Sequence, residues 1–157
     1  MCIALITALL LHGCSSIQDV SPKVTDFKCK GTAHLDDYQS DFEMSVHSGG
    51  IFIISITSPS TVNGLTFRWN GDNATITYNN MESNLLADKT KANCFADTLH
   101  HTFNDLLKQN HTVNGNIAEG YISEGEYTVI FRADGFPCEI KIPSINLVVS
   151  LDDFEYM

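Results

Sequence analysis

Positive charge is scarce in this chain. Nine Lys and Arg stand against nineteen Asp and Glu, for a formal net charge of -10. Such a surface repels phosphate backbones, which excludes a nucleic-acid partner. It also gives no electrostatic attraction to anionic lipid headgroups. Short catalytic and cofactor signatures are missing as well. There is no G-x-S-x-G, so no hydrolase elbow, and no glycine-rich phosphate loop. None of the five cysteines lies in a C-x-x-C pair, so no zinc pattern is present. Carboxylates abound, but no pair can be placed by spacing, which leaves a glycosidase without support. No cofactor is expected, and the chain reads as a binding protein and not an enzyme. No apolar run approaches the ~20 residues that span a bilayer.

What is present begins at the amino terminus. The apolar run Ile3 to Leu11 stops at Leu11-His12-Gly13-Cys14. Its length suits the apolar core of a secretion leader, ~7–15 residues. A greasy segment, a small residue and a cysteine read as the cleavage and lipidation signal of a bacterial lipoprotein. Residues 1–13 are then the signal peptide and Cys14 the acylated new terminus. No Lys or Arg precedes the run, which implies a true start upstream of Met1. The competing readings are an ordinary cleaved leader and a buried strand. An acylated Cys14 places the protein outside the cytoplasm, held to a bacterial cell membrane by its acyl chains. Two or more chains anchor stably, at ~0.8 kcal/mol per buried methylene.

Residues 14–25, with Ser15, Ser16, Ser21 and Pro22, read as a flexible tether. Residues 26–157 read as a single domain, large enough to fold without a disulfide or metal. Cys29, Cys94 and Cys138 remain after the leader and anchor. They are either three partly buried small residues or one bridge with a thiol over.

From Asp26 the pattern is one of short strands and strong turns. Runs at 27–35, 42–46, 51–57, 65–69 and 74–78 are followed, later, by 117–122, 127–132, 138–142 and 145–151. Asn63-Gly64, Asn114-Gly115 and Asp134-Gly135 supply residues that tolerate the positive φ of tight hairpins. Consecutive strands joined this way are antiparallel, and nine or ten of them curl strongly. Ile51 to Ile56 is apolar on both faces, and Leu147 to Leu151 nearly so, which predicts cover on both sides. The run 88–109 has neither Gly nor Pro. Its Phe95, Leu99, Phe103 and Leu106 form one stripe of a helix, with Asp88 or Asn93 as cap. The expected fold is α+β and mostly β: a strongly curved antiparallel meander, a half-barrel, with one main helix packed on the concave face.

Three helix residues, Asp97, His101 and Asp105, stack at i, i+4 and i+8. They lie opposite the apolar stripe, so a solvated face is the expected reading and no metal is assigned. Cys94 lies too far in rotation or rise from His100 and His101 to be an activated thiol. His34, His47 and His111 sit in polar contexts.

Element order, with Asp26-Phe27-Lys28-Cys29, the strand entry Ser58-Pro59-Ser60-Thr61-Val62-Asn63-Gly64-Leu65-Thr66-Phe67, the hairpin Tyr127 to Ile142 and the closing Leu151-Asp152-Asp153-Phe154, resembles the LolA/LppX-like lipoprotein superfamily. Within it the chain is most similar to small uncharacterised lipoproteins of Firmicutes. The resemblance implies a carrier that holds acyl chains between sheet and helix. Phe67, Trp69, Phe95, Leu99 and Phe103 are then the candidate walls of a hydrophobic cavity for a lipid. The same five residues serve equally as a solid core. The alternative function is accordingly an envelope interaction or sensor module with a protein partner and no small ligand.

Overall fold

The computed structural model describes residues 20–71, 73–86 and 94–157. Eleven strands form one antiparallel sheet. Six come first: β1 Phe27–Leu35, β2 Tyr38–Val46, β3 Ile51–Ser58, β4 Thr66–Asn70, β5 Asn73–Tyr78 and β6 Met81–Leu86. Helix α1, Phe95–Leu107, follows. The remaining strands are β7 Thr112–Asn114, β8 Ile117–Ile122, β9 Gly125–Phe131, β10 Pro137–Ile142 and β11 Leu147–Tyr156. The spatial order is β6-β5-β4-β3-β2-β1-β11-β10-β9-β8-β7. The sheet is open, with β6 and β7 at its edges.

That order has a simple cause. The first meander starts mid-sheet at β1 and walks outward to β6. Helix α1 lies between the two edges in sequence. The second meander walks inward from β7 to β11, which pairs with β1 along nearly its whole length, from Phe27↔Tyr156 to Leu35↔Leu147. Among the described residues, this is the one strand pairing that joins the two halves of the sheet. Its register shifts between Lys28 and Lys30, where β11 carries an extra residue and Asp153 takes φ 49°. A bulge of this kind bends a strand and increases its twist.

Period-2 alternation sets the concave face. Phe27, Cys29 and Ala33, Phe42, Met44 and Val46, and Phe52, Ile54 and Ile56 point inward and are buried. So do Tyr127, Val129 and Phe131, then Ile140 and Ile142, then Leu147, Val149 and Leu151. The stripe of α1 lies over them. Leu99, Phe103 and Leu106 are at most 2% exposed. The Phe103 ring meets Phe27 at 6.1 Å and Phe52 at 5.5 Å, and Phe95 meets Phe42 at 5.4 Å. The expected half-barrel with its helix across the hollow side is what the chain forms.

The differences are local. Helix α1 starts at Phe95, after an extended Cys94 that contributes no side-chain cap. The expected helical positions 88–93 lie outside the described residues. Strands β6 and β7 are additional to those read from the sequence. The turn into β6 is Asn79-Asn80, both at positive φ, as a two-residue type I′ turn requires. The outer face of β3 is not covered by a second layer among the described residues. Ile51 and Ile53 are half-buried, and Ile53 sits in an outer groove beside Lys28, Lys30, Glu43, Asp153 and Glu155. Long charged side chains shade apolar surface with their stems while their heads stay wet.

Residues expected to be a flexible tether are docked where they are described. The Lys23 amide donates to the Gly135 carbonyl at 2.8 Å, and Val20 and Val24 pack on the core. The Lys23 ammonium sits over the Phe136 and Tyr156 rings at 4.9 and 5.0 Å.

Gly31 marks the tightest point of the β1–β2–β11 packing. A Cβ there would overlap the Phe42 ring and Leu151. Gly31→Ala should therefore destabilise the domain by ~1–3 kcal/mol through overpacking. Urea denaturation measures this as a lower midpoint, and an unchanged midpoint would contradict the packing described.

Candidate functional site

All five candidate cavity residues are brought together. Phe67 and Trp69, on alternate positions of β4, stack at 5.9 Å. Trp69 meets Phe52 edge-on at 5.7 Å and lies flat against the His100 ring at 4.8 Å. Phe95 comes down from α1 onto Phe42, and Phe103 onto Phe27 and Phe52, while Leu99 is fully buried in the same core. These rings touch one another. An acyl chain entering between sheet and helix would have to displace aromatic contacts worth ~0.5–1.5 kcal/mol each beyond area burial.

A crevice of about 210 Å³ does open at one end of α1. Val46, Ile51, Phe52, Phe103 and Leu107 supply its apolar wall, and His47, His100, Asn104 and Lys108 its polar rim.

The polar flank of α1 departs from expectation. Asp97, His101 and Asp105 do not form a solvated face. Asp97 is only 9% exposed. Asp105 accepts a 2.6 Å hydrogen bond from the Tyr127 hydroxyl. His101 Nδ1 lies 3.0 Å from Glu124 Oε1, in the turn between β8 and β9. The reason is the curl of the sheet, which wraps past the apolar stripe and brings β8 and β9 up the helix side. Gly120 permits this: it pairs with Tyr127 across the strands, and a side chain there would collide with the Tyr127 ring. Desolvation and the bond to Asp105 push the Tyr127 phenol well above its ordinary range. Desolvation also raises the Asp97 carboxyl, with the nearby Glu124 charge adding, while His101 and the Trp69 indole N–H oppose. Asp97, His100 and His101 bring their ligand atoms within 4.8 Å of one another. His100, and not Asp105, completes this group.

The thiols carry no activation. Cys29, Cys94 and Cys138 are all free. Burial raises each of them. A thiol so placed is a poor nucleophile. Cys14, the expected acylation site, lies outside the described residues.

No protein-family model matches this chain, and no curated protein matches it. Solved structures do. An uncharacterized conserved protein from Thermus thermophilus is 7% identical, with a TM-score of 0.51 over 85% of this chain and 80% of that one. A LolA superfamily protein from Nitrosomonas europaea is 7% identical, with a TM-score of 0.46 over 88% and 89%. A chain of the complex between the CwlD amidase and the GerS lipoprotein from Clostridioides difficile is 14% identical, with a TM-score of 0.49 over 85% and 88%. At such identities the likeness is one of fold: a curved open sheet with its helix, shared with the Thermus thermophilus protein.

Burial, with Asp152 adding, pushes the Cys29 thiol up to about 12. At pH 8 iodoacetamide should therefore leave Cys29 unmodified in the folded protein and alkylate it in urea, as read by peptide mass mapping. Labelling of folded protein at the rate of a free thiol would show that the inner face of β1 is not packed.

Proposed function

We propose that this chain is an exported binding module, tethered to the outer side of a bacterial membrane by acyl chains on Cys14, that engages a protein partner and catalyses no reaction. The observation that carries the reading is the aromatic packing between sheet and helix among the described residues. A lipid carrier needs an interior volume to offer. Here Phe42, Phe52, Trp69, Phe95 and Phe103 meet ring to ring. The acidic surface and the open sheet are left to make the interaction. Free thiols raised by burial support binding over thiol catalysis.

The docked segment adds an orientation. Val20 meets the β7–β8 turn at Gly115, and Lys23 meets the β9–β10 turn at Gly135. Five residues, 15–19, link Cys14 to Val20. They reach at most ~20 Å when fully extended. That end of the sheet then faces the membrane, and the opposite face is presented to partners.

A second reading keeps a hydrophobic ligand. The crevice beside the end of α1 supports it, with about 210 Å³ for a short acyl chain. Two measurements separate the readings. Native mass spectrometry of protein from its host should show no co-purifying lipid, and a fluorescent fatty acid should not gain emission on addition. Stoichiometric lipid would overturn the solid-core reading in favour of the carrier. The anchor is tested apart from both: Cys14→Ser should abolish palmitate labelling and release the protein from membranes, and persistent labelling would refute the assignment.

A further inference from the structure

We propose that Asp97, His100 and His101 form a binding site for one divalent transition-metal ion of the zinc type, on the flank of α1 beside the β8–β9 turn. The three residues stand at i, i+3 and i+4, which places them on one helix side. Their ligand atoms fall within 4.8 Å of one another.

The spacing inside the group leaves room for an ion. His101 Nε2 stands 4.0 Å from Asp97 Oδ1. That is too long for a hydrogen bond. It also exceeds the ~3.3 Å that separates two ligand atoms on tetrahedral bonds of about 2.0–2.2 Å. Tetrahedral closure, with ligand atoms ~3.3 Å apart on bonds of that length, needs side-chain rotations of the order of an ångström.

The two histidines are oriented from outside the group. His101 Nδ1 lies 3.0 Å from Glu124 Oε1, and in the tautomer with its proton on Nδ1 it donates there. Its Nε2 lone pair then faces Asp97. Carboxylate–histidine–metal arrangements are built in this way. The Ser123 hydroxyl fixes Glu124 in turn, donating to Oε2 at 2.6 Å. The Trp69 indole stacks on the His100 ring at 12°. Residues of β4 and of the β8–β9 turn thus hold the two histidines that α1 supplies.

Charge argues in the same direction. Asp97 sits largely out of water with Glu124 nearby, and a dication offsets both. Two imidazoles and one carboxylate suit zinc, cobalt, nickel or copper and not calcium or magnesium. The His101 side chain is 38% exposed, which gives the ion an entry path and leaves coordination positions to solvent. The competing arrangement is a protonated His101 bridging Asp97 and Glu124 with no ion bound.

The test uses the full chain, without a histidine tag, purified in detergent and stripped with EDTA. Zinc is titrated against a chromophoric chelator, and cobalt is followed by visible absorption. One ion per chain is expected. Asp97→Asn and His101→Ala should each weaken zinc at least about tenfold, and Glu124→Gln about 10–100-fold, as loss of an outer partner does. Far-UV circular dichroism should not change. His47→Ala and Cys94→Ser should bind zinc like the parent. Failure to bind zinc at ~1 mM, or equal binding by the Asp97→Asn/His101→Ala double variant, would overturn the site. A cobalt thiolate band abolished by Cys94→Ser would overturn it too, by placing the ion on the thiol.

Discussion

Everything in this protein depends on one contact: the apolar stripe of α1 lying in the hollow of a curled sheet. Without it, the inward residues of β1, β2 and β3 would face water. Full burial of one such side chain contributes ~1.5–3 kcal/mol, and the helix closes over many at once. The stripe is narrow, with Leu99, Phe103 and Leu106 at its centre. The sheet is wider than the stripe, so its far limb rises along the helix side and converts a polar face into a partly buried one. The pairing of β1 with β11 fixes the two limbs relative to each other and sets how deep the hollow is.

This geometry explains which features were legible beforehand. Strict alternation in β1, β2 and β9, and Gly- or Asn-bearing turns, announce antiparallel strands. The i, i+4, i+8, i+11 stripe announces the helix and its direction. Strand β6 was hidden because Met-Glu-Ser-Asn-Leu-Leu lacks β-branched residues. An edge strand needs few of them, and its signal lay in the preceding Asn79-Asn80. Strand β7 has three residues, all exposed, too few for any period to register. The cap of α1 shows how far boundary reading reaches. Cys94, a poor capping residue, stands where Asp88 or Asn93 was expected.

The polar flank was misjudged for a different reason. A helical wheel ranks directions around one axis but knows nothing of how far a neighbouring sheet wraps. Asp97, His101 and Asp105 oppose the stripe on the wheel, yet Tyr127 and Glu124 reach them. Gly120 was the available clue, since a glycine within an otherwise regular strand marks close approach by a partner. The aromatic candidates, by contrast, lie in one cluster. Their meaning depended on volume, which residue types cannot express. Phe67 beside Trp69 reads alike in a cavity wall and in a core.

Whether α1 is a permanent part of the core or a lid decides between a solid module and a carrier. Native-state hydrogen exchange measures this directly. The account predicts that the amides of Leu99, Phe103 and Leu106 exchange only by global unfolding, with the same free energy and denaturant dependence as those of β1 and β11. Exchange of the α1 amides through a separate, lower-energy opening, while β1 and β11 stay protected, would contradict it.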